Sequence, residues 1–404
     1  MKQNQPHAFT KRGLRRIAIA VFTGFVAACT YSVPSHAQTI RIEATTKSMD
    51  WNAVALAGGH VFVAGPRWSG FSGPAVGLLT KNGKIEPFPD ADWNGWKPGR
   101  DATHRFVSVN ALHVAPDGTL WVVDTGTPSF GGAPIPEGAK LVRIDPATGH
   151  VLRIYPLDPD IAQAGSYIDD IRFNGRHAYL TDAGKAALIV LDVETGHARR
   201  VLDNDVSTRA RTDRPIVMDG HVVESHLHQP LLVNVDPLEV SPDGKWLYFG
   251  PLEGPWSQVP TALLDDPKVS SADLSAAVKP WADLPPIGGS AMDAAGNLYF
   301  TNLKDNGVYQ RDVSWKDHET DLGFTSALGG CTLSCSERSS LAARRATGPS
   351  SDVPSEAISH HTAVSAGIYR SSMTIKRRDS RLRDAFSRAK VPAKSPCFGG
   401  RVHL

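Results

Sequence analysis

At 404 residues with 41% hydrophobic and 8% aromatic content, the chain is long enough to bury a large core and too apolar to be disordered throughout. Its formal charge of +2 conceals a division: residues 1–37 carry five basic and no acidic groups, residues 326–404 carry thirteen basic and five acidic, and the body between them carries 25 basic against 36 acidic. A body with a net charge of −11 argues against nucleic acid as a partner and favours cationic or metal ligands.

The N-terminus reads as an export signal. Lys11, Arg12, Arg15 and Arg16 precede an apolar run over residues 17–28 that is too short to span a bilayer as a mature helix. Two processing sites compete. Ser35-His36-Ala37 before Gln38 fits ordinary signal cleavage, whereas Val26-Ala27-Ala28-Cys29 resembles a lipobox that would leave a lipid anchor on Cys29. Cleavage after Ala37 is the preferred reading, since both positions of the small-x-small rule are met, and the mature body is expected to be secreted or periplasmic.

From residue 38 onward, five glycine-centred turns each adjoin a short alternating strand. They are Gly58-Gly59-His60-Val61-Phe62-Val63, Pro116-Asp117-Gly118-Thr119-Leu120-Trp121-Val122-Val123-Asp124, Asn174-Gly175-Arg176-His177-Ala178-Tyr179-Leu180-Thr181-Asp182, Pro242-Asp243-Gly244-Lys245-Trp246-Leu247-Tyr248-Phe249, and Ala295-Gly296-Asn297-Leu298-Tyr299-Phe300. The turn glycines 59, 118, 175, 244 and 296 are 59, 57, 69 and 52 residues apart, a period suited to one four-stranded sheet per repeat. Three repeats add a second hairpin, over residues 76–89, 140–156 and 187–202, turning at Asn82-Gly83, Thr148-Gly149 and Thr195-Gly196. A stretch near Val259 to Val278 has room for a short helix or two. The expected fold is an all-β propeller of the six-bladed type, incomplete, with five recognisable blades over residues 38–325.

The pattern stops after about Asp312. Residues 326–404 hold three aromatics, fifteen serines and no alternating strand with a glycine turn, so a disordered basic tail, or a reading frame that departs from its ancestral one, is expected there. The body holds no cysteine; Cys331, Cys335 and Cys397 all lie in the tail, at spacings that make a poor zinc signature.

The combination of Tyr167-Ile168-Asp169-Asp170-Ile171-Arg172-Phe173 with Ala178-Tyr179-Leu180-Thr181-Asp182-Ala183-Gly184 resembles the Yellow and major royal jelly protein family. So do Phe106-Val107-Ser108-Val109-Asn110, Val235-Asp236 before Ser241-Pro242-Asp243-Gly244, and Ala291-Met292-Asp293-Ala294-Ala295-Gly296. The resemblance covers roughly residues 45–312. It implies a secreted six-bladed propeller, related in architecture to gluconolactonase-like proteins, of a family in which some members bind small aromatic amines and some convert dopachrome. The family's usual sixth-blade Trp-Pro-Asp stretch is absent.

In a propeller the innermost strand of each blade lines the channel. Counting back from the turn glycines gives Asn52, Asn110, Asp170 and Asp236 in similar register, with Gly288 in the fifth blade, where the resemblance implies an Asp. Asn110, Asp170 and Asp236, with Asn52, form a set of hard oxygen donors suited to Ca²⁺. The same residues equally suit strand capping. Trp93 and Trp96, with Trp68 and Phe71, stand in Gly- and Pro-rich loops and are candidates for stacking on an aromatic or cationic ligand, or for packing over a blade. His226-x-His228 would place two rings on one face of an extended segment. Three functions remain open: binding of a small aromatic or cationic molecule in the channel, metal-dependent hydrolysis of lactones, and a protein-interaction platform. No nucleophile elbow, phosphate loop or nucleotide fingerprint occurs.

Overall fold

The computed structural model describes residues 45–311, except 47, 130, 219, 226 and 306, together with four short strands, Glu319–Asp321, Ser334–Cys335, Val364–Ser365 and Arg370–Ser371. Five antiparallel four-stranded sheets follow one another along the chain, each ordered from its inner to its outer strand. Blade 1 runs Ala53–Ala57, His60–Ala64, Val76–Leu79, Ile85–Pro87; blade 2 runs Val109–Val114, Leu120–Asp124, Lys140–Ile144, Val151–Pro156. Blade 3 runs Ile168–Asn174, His177–Asp182, Ala187–Asp192, Ala198–Val201; blade 4 runs Val235–Val240, Trp246–Pro251, Trp256–Pro260, Lys279–Ala282. Blade 5 is Ile287–Met292, Leu298–Asn302, Gly307–Arg311 and Glu319–Asp321. The inner strands of consecutive blades touch, which arranges the five sheets as a propeller around a channel.

The turns work as their residues require. Gly118 and Gly244 hold φ of +82° and +69°, a region costly for any side chain, and the preceding Asp117 and Asp243 each accept the backbone N–H two residues on, at 3.0 and 3.1 Å. Alternating residues of each strand then pack between blades. Phe62, Phe106, Val122 and Ile144 fill the space between blades 1 and 2; Trp121, stacked on Tyr155 with centroids 4.9 Å apart, fills that between 2 and 3. Tyr179, Phe249 and Leu264 serve blades 3 and 4, and Trp256 with Phe300 serves blades 4 and 5. Each such fully buried side chain contributes about 1.5–3 kcal/mol of apolar burial.

The helices α1 (Thr261–Asp265) and α2 (Ser271–Ala277) connect the third and outer strands of blade 4. Leu264 and Leu274 anchor them to the core, and the Ser270 hydroxyl caps α2 by accepting Asp273 N at 3.1 Å. No helix among the described residues is long and apolar enough to cross a membrane.

The signal segment lies outside the described residues, as does most of the tail expected to be disordered. The described tail residues form three two-residue strands. Ser334–Cys335 pairs with Val364–Ser365 and lies against the inner strands of both blade 1 and blade 5, while Arg370–Ser371 pairs in parallel with Thr45–Thr46.

Candidate functional site

Inner strands begin, and second strands end, at the same end of the propeller. In blades 2 to 5 the inner strand carries one extra residue there: Val109, Ile168, Val235 and Ile287 pair normally, and pairing resumes only after a bulge. A bulge bends the strand and re-aims the side chain it carries. The residue after the first paired one is Asn110, Asp169, Asp236 and Gly288 in turn. In blade 1 Asn52 precedes the strand and donates its backbone N–H to Ala64 O at 3.1 Å.

In blades 2 and 3 the loops feeding these bulges are fixed by the aspartate that ends the second strand. The Asp124 carboxylate accepts from Val107 N and Ser108 N, both at 2.8 Å, and from the buried Lys140 ammonium at 2.8 Å. Asp182 does the same in blade 3, accepting Tyr167 N at 2.8 Å, the Ser166 hydroxyl at 2.6 Å and Arg200 Nη1 at 2.7 Å. The residues just ahead of Asn110 and Asp169 therefore cannot drift.

The side chains so placed form a connected chain across three blades. Trp68 Nε1 donates to the Tyr167 hydroxyl at 3.1 Å, and that hydroxyl donates to Asn110 Oδ1 at 2.8 Å. Asn110 Oδ1 also accepts from Asn52 Nδ2 at 2.8 Å, and Asn110 Nδ2 donates to Asp169 Oδ1. Asp169 lies within electrostatic reach of Asp236, and the two carboxyls act on one another. Burial, followed by the Asp236 charge, pushes the Asp169 carboxyl well above the usual range; burial pushes Asp236 up to about 6. Burial also raises the Tyr167 phenol well above its ordinary value, with the Asp169 charge adding to it.

Asn52, Asn110 and Asp236 thus come together, and Asp170 turns elsewhere. Its Oδ2 accepts Arg172 Nη1 at 2.7 Å, while Arg172 grips Glu239 through Nη2 at 2.8 Å and Nε at 3.1 Å. Arg172 Nη2 also reaches Ser290 O at 3.1 Å, and the Ser290 hydroxyl donates to Glu239 Oε1 at 2.8 Å. This is an ion-paired clasp across the inner strands of blades 3, 4 and 5. Asp169 takes the place in the register that counting from the turn assigned to Asp170. The count slipped because blade 3 turns in two residues, Gly175 and Arg176, whereas blades 2 and 4 use longer turns. Aligning instead on the β-branched residue of Val109-Asn110, Ile168-Asp169, Val235-Asp236 and Ile287-Gly288 finds it.

The two loop tryptophans serve packing. Trp93 is buried against Phe106, centroids 4.9 Å apart, in the core between blades 1 and 2, and Trp96 is buried with Ala102 and Val107. Both side chains are buried. The aromatic pair at the channel mouth is Trp68 with Tyr167, in a cluster with Ala183, Ile216, Leu231, Val233, Leu252 and Leu303. Three members, Ile216, Leu231 and Val233, come from the long connection between blades 3 and 4, whose hairpin Val217–Met218/His221–Val222 covers this end. His226 lies outside the described residues, and His228 is exposed, 3.5 Å from Glu224 Oε2.

The donor set does not fit Ca²⁺ as arranged. Asn110 Oδ1 already accepts two hydrogen bonds, and the Asn110 amide nitrogen occupies Asp169. Among the described residues no three His, Cys, Asp or Glu side chains converge at metal-binding range.

No curated protein matches the sequence. Among solved structures, the chain is similar to a streptogramin B lyase at 11% identity, covering 70% of this chain and 72% of that one, with a TM-score of 0.39. It is similar to virginiamycin B lyase from Staphylococcus aureus at 14% identity, covering 71% and 89%, with a TM-score of 0.38. It is similar to Kuenenia stuttgartiensis hydrazine synthase at 12% identity, covering 65% and 71%, with a TM-score of 0.39. These likenesses bear on no feature of the site. The sequence profile of the major royal jelly proteins matches residues 107–323, more than half of the chain and the whole span from the Asn110 strand through blade 5. The chain belongs to the major royal jelly protein family.

Proposed function

We propose that this propeller binds a small cationic molecule with an aromatic or other apolar body at the channel end formed by Asn52, Asn110, Asp169 and Asp236. The Asp169–Asp236 pair carries the reading. Two half-buried carboxyls in the channel wall act on one another and are both raised, and no Lys or Arg forms an ion pair with either among the described residues, the nearby Arg172 being spent on Asp170 and Glu239. Such a pair is relieved by a cation, which lets both groups ionise. Trp68, partly exposed and hydrogen-bonded to the buried Tyr167, stands at the mouth of the same channel end, where its ring can meet the apolar part of the ligand. The body's net charge of −11 draws cations toward it. The basic, apolar N-terminus supports a secreted or periplasmic setting for this activity.

Calorimetric titration of the purified protein with phenethylamine at pH 7.5, beside Ca²⁺ and a neutral lactone, tests the reading. The amine is expected to bind, and Asp236→Asn to weaken it by about 100-fold, as loss of one buried charged acceptor implies. Heat from Ca²⁺ or lactone and none from the amine would replace this reading with a metal site or a hydrolase. Silence from all three would leave the interaction platform.

A further inference from the structure

A third carboxyl stands at this end of the channel and is not used by the relay just described. Glu253 follows the second strand of blade 4 in the loop that also carries Leu252, a member of the mouth cluster. It is 2% exposed. Its Oε1 accepts the backbone N–H of Arg211, and its Oε2 is buried without a hydrogen-bond partner. Buried carboxylate oxygens are otherwise satisfied, because an unpaired one forfeits its hydration for nothing. A buried carboxylate oxygen with no protein donor is free to accept a hydrogen bond from a ligand.

The charges around Glu253 do not supply that partner. Arg211 spends its guanidinium on Asp213, at 2.9 Å through Nε. Arg214 reaches only the Glu253 backbone carbonyl, at 3.2 Å, and commits Nη1 to Asp283 at 2.6 Å and Nη2 to Leu284 O at 3.1 Å. Arg214 attracts the Glu253 carboxylate through its charge without a side-chain hydrogen bond to it, and Asp236 repels it. Gly254 holds the loop in place: its φ is +67°, and an added Cβ would lie 2.4 Å from Leu284 O. Glu253 is therefore a fixed, unspent acceptor close enough to Asp236 to feel its charge.

We infer that the site takes a ligand with two positive charges, one ammonium held by Asp169 and Asp236 and the second by Glu253 Oε2. The inference rests on the cation-binding reading above and narrows it from amines to diamines. Burial holds the free Glu253 carboxyl up to about 7, so near neutral pH it must give up its proton when a second ammonium arrives.

The test uses benzylamine and 1,4-bis(aminomethyl)benzene, which share one skeleton and differ by one ammonium. Wild type is expected to bind the diamine about 10-fold or more tighter than the monoamine, the value of one hydrogen bond to a charged group. Glu253→Gln keeps the acceptor for Arg211 N, and should collapse that ratio to near one, the loss falling mainly on the diamine. Should the variant fail to fold, wild type still answers. Titrations near pH 7 in buffers of different ionisation heat should show the diamine releasing more protons than the monoamine. Equal affinities, an unchanged ratio in Glu253→Gln, or equal proton release would overturn the diamine inference while leaving the monoamine site standing. Failure of both amines to bind would instead remove the cation-binding reading, and this one with it.

Discussion

Asp169 and Asp170 are neighbours in sequence, leave the inner strand of blade 3 at the same bulge, and meet opposite fates. Asp170 is drawn into an ion pair with Arg172, which Glu239 holds from the other side, so that blades 3, 4 and 5 are clasped by one guanidinium. Burial still raises Asp170, but its largest opposing influence is the Arg172 charge. Asp169 has only Asn110, an amide, and Asp236, another acid. The first arrangement is closed, since both carboxylates share one guanidinium. The second is open and lacks a positive charge, and this separates a buried acidic residue that builds the fold from one that awaits a ligand.

The sharpest way to break this comparison is to open the closed half. Arg172→Met leaves Asp170 and Glu239 buried without their cation, and is expected to cost about 3–5 kcal/mol of unfolding free energy in urea denaturation. Folded Arg172→Met should bind the amine at least as well as wild type, because a cation near the site has been removed. A variant as stable as wild type would show that the clasp does not hold the three blades.

How much of this was legible follows from the kind of signal each feature leaves. The blades were readable because turn chemistry and strand alternation recur locally. Asn110 and Asp236 were readable for the same reason, their distance from the turn glycine being equal. Asp169 was not, because its blade has a shorter turn and because a bulge, where two residues face one, breaks the strict alternation on which counting relies. Trp93 and Trp96 misled because a loop tryptophan looks the same in sequence whether its faces meet a ligand or Phe106. Glu253 left no signal, since the orphan oxygen depends on Arg211 and Arg214, some forty residues earlier in the chain.

The open half can be weighed through pH. Asp236 is raised to about 6 and Glu253 to about 7, so between roughly pH 4 and 7 the folded protein holds more protons on these groups than the unfolded chain. By linkage the stability they allow is greatest at the acid side of that window and is lost as pH rises through the folded values. Unfolding free energy is expected to fall by about 4 kcal/mol from pH 5 to pH 8. Glu253→Gln should flatten the upper part of the fall, and a saturating amine should largely abolish it. A stability that rises steadily from pH 5 to 8 would mean that these acids are paired.

The smallest expected effect concerns the link between the mouth and the acids. The Tyr167 hydroxyl accepts from Trp68 Nε1 and donates to Asn110 Oδ1, so it ties the orientation of the indole to that of the amide that positions Asp169. Tyr167→Phe keeps the ring in its apolar cluster and removes these two bonds. Asn110 Oδ1 retains its bond from Asn52, so the amide loses precision and not its place. One neutral hydrogen bond is worth about 1 kcal/mol, which sets the expected loss of amine affinity at about 5-fold, with a similar loss of stability. The ratio of affinities for charged and uncharged ligands should not change, because the acids themselves are untouched. A loss comparable to that in Asp236→Asn would instead make the phenol a direct ligand contact. No loss at all would detach Trp68 and Tyr167 from the site and leave the acids to act alone.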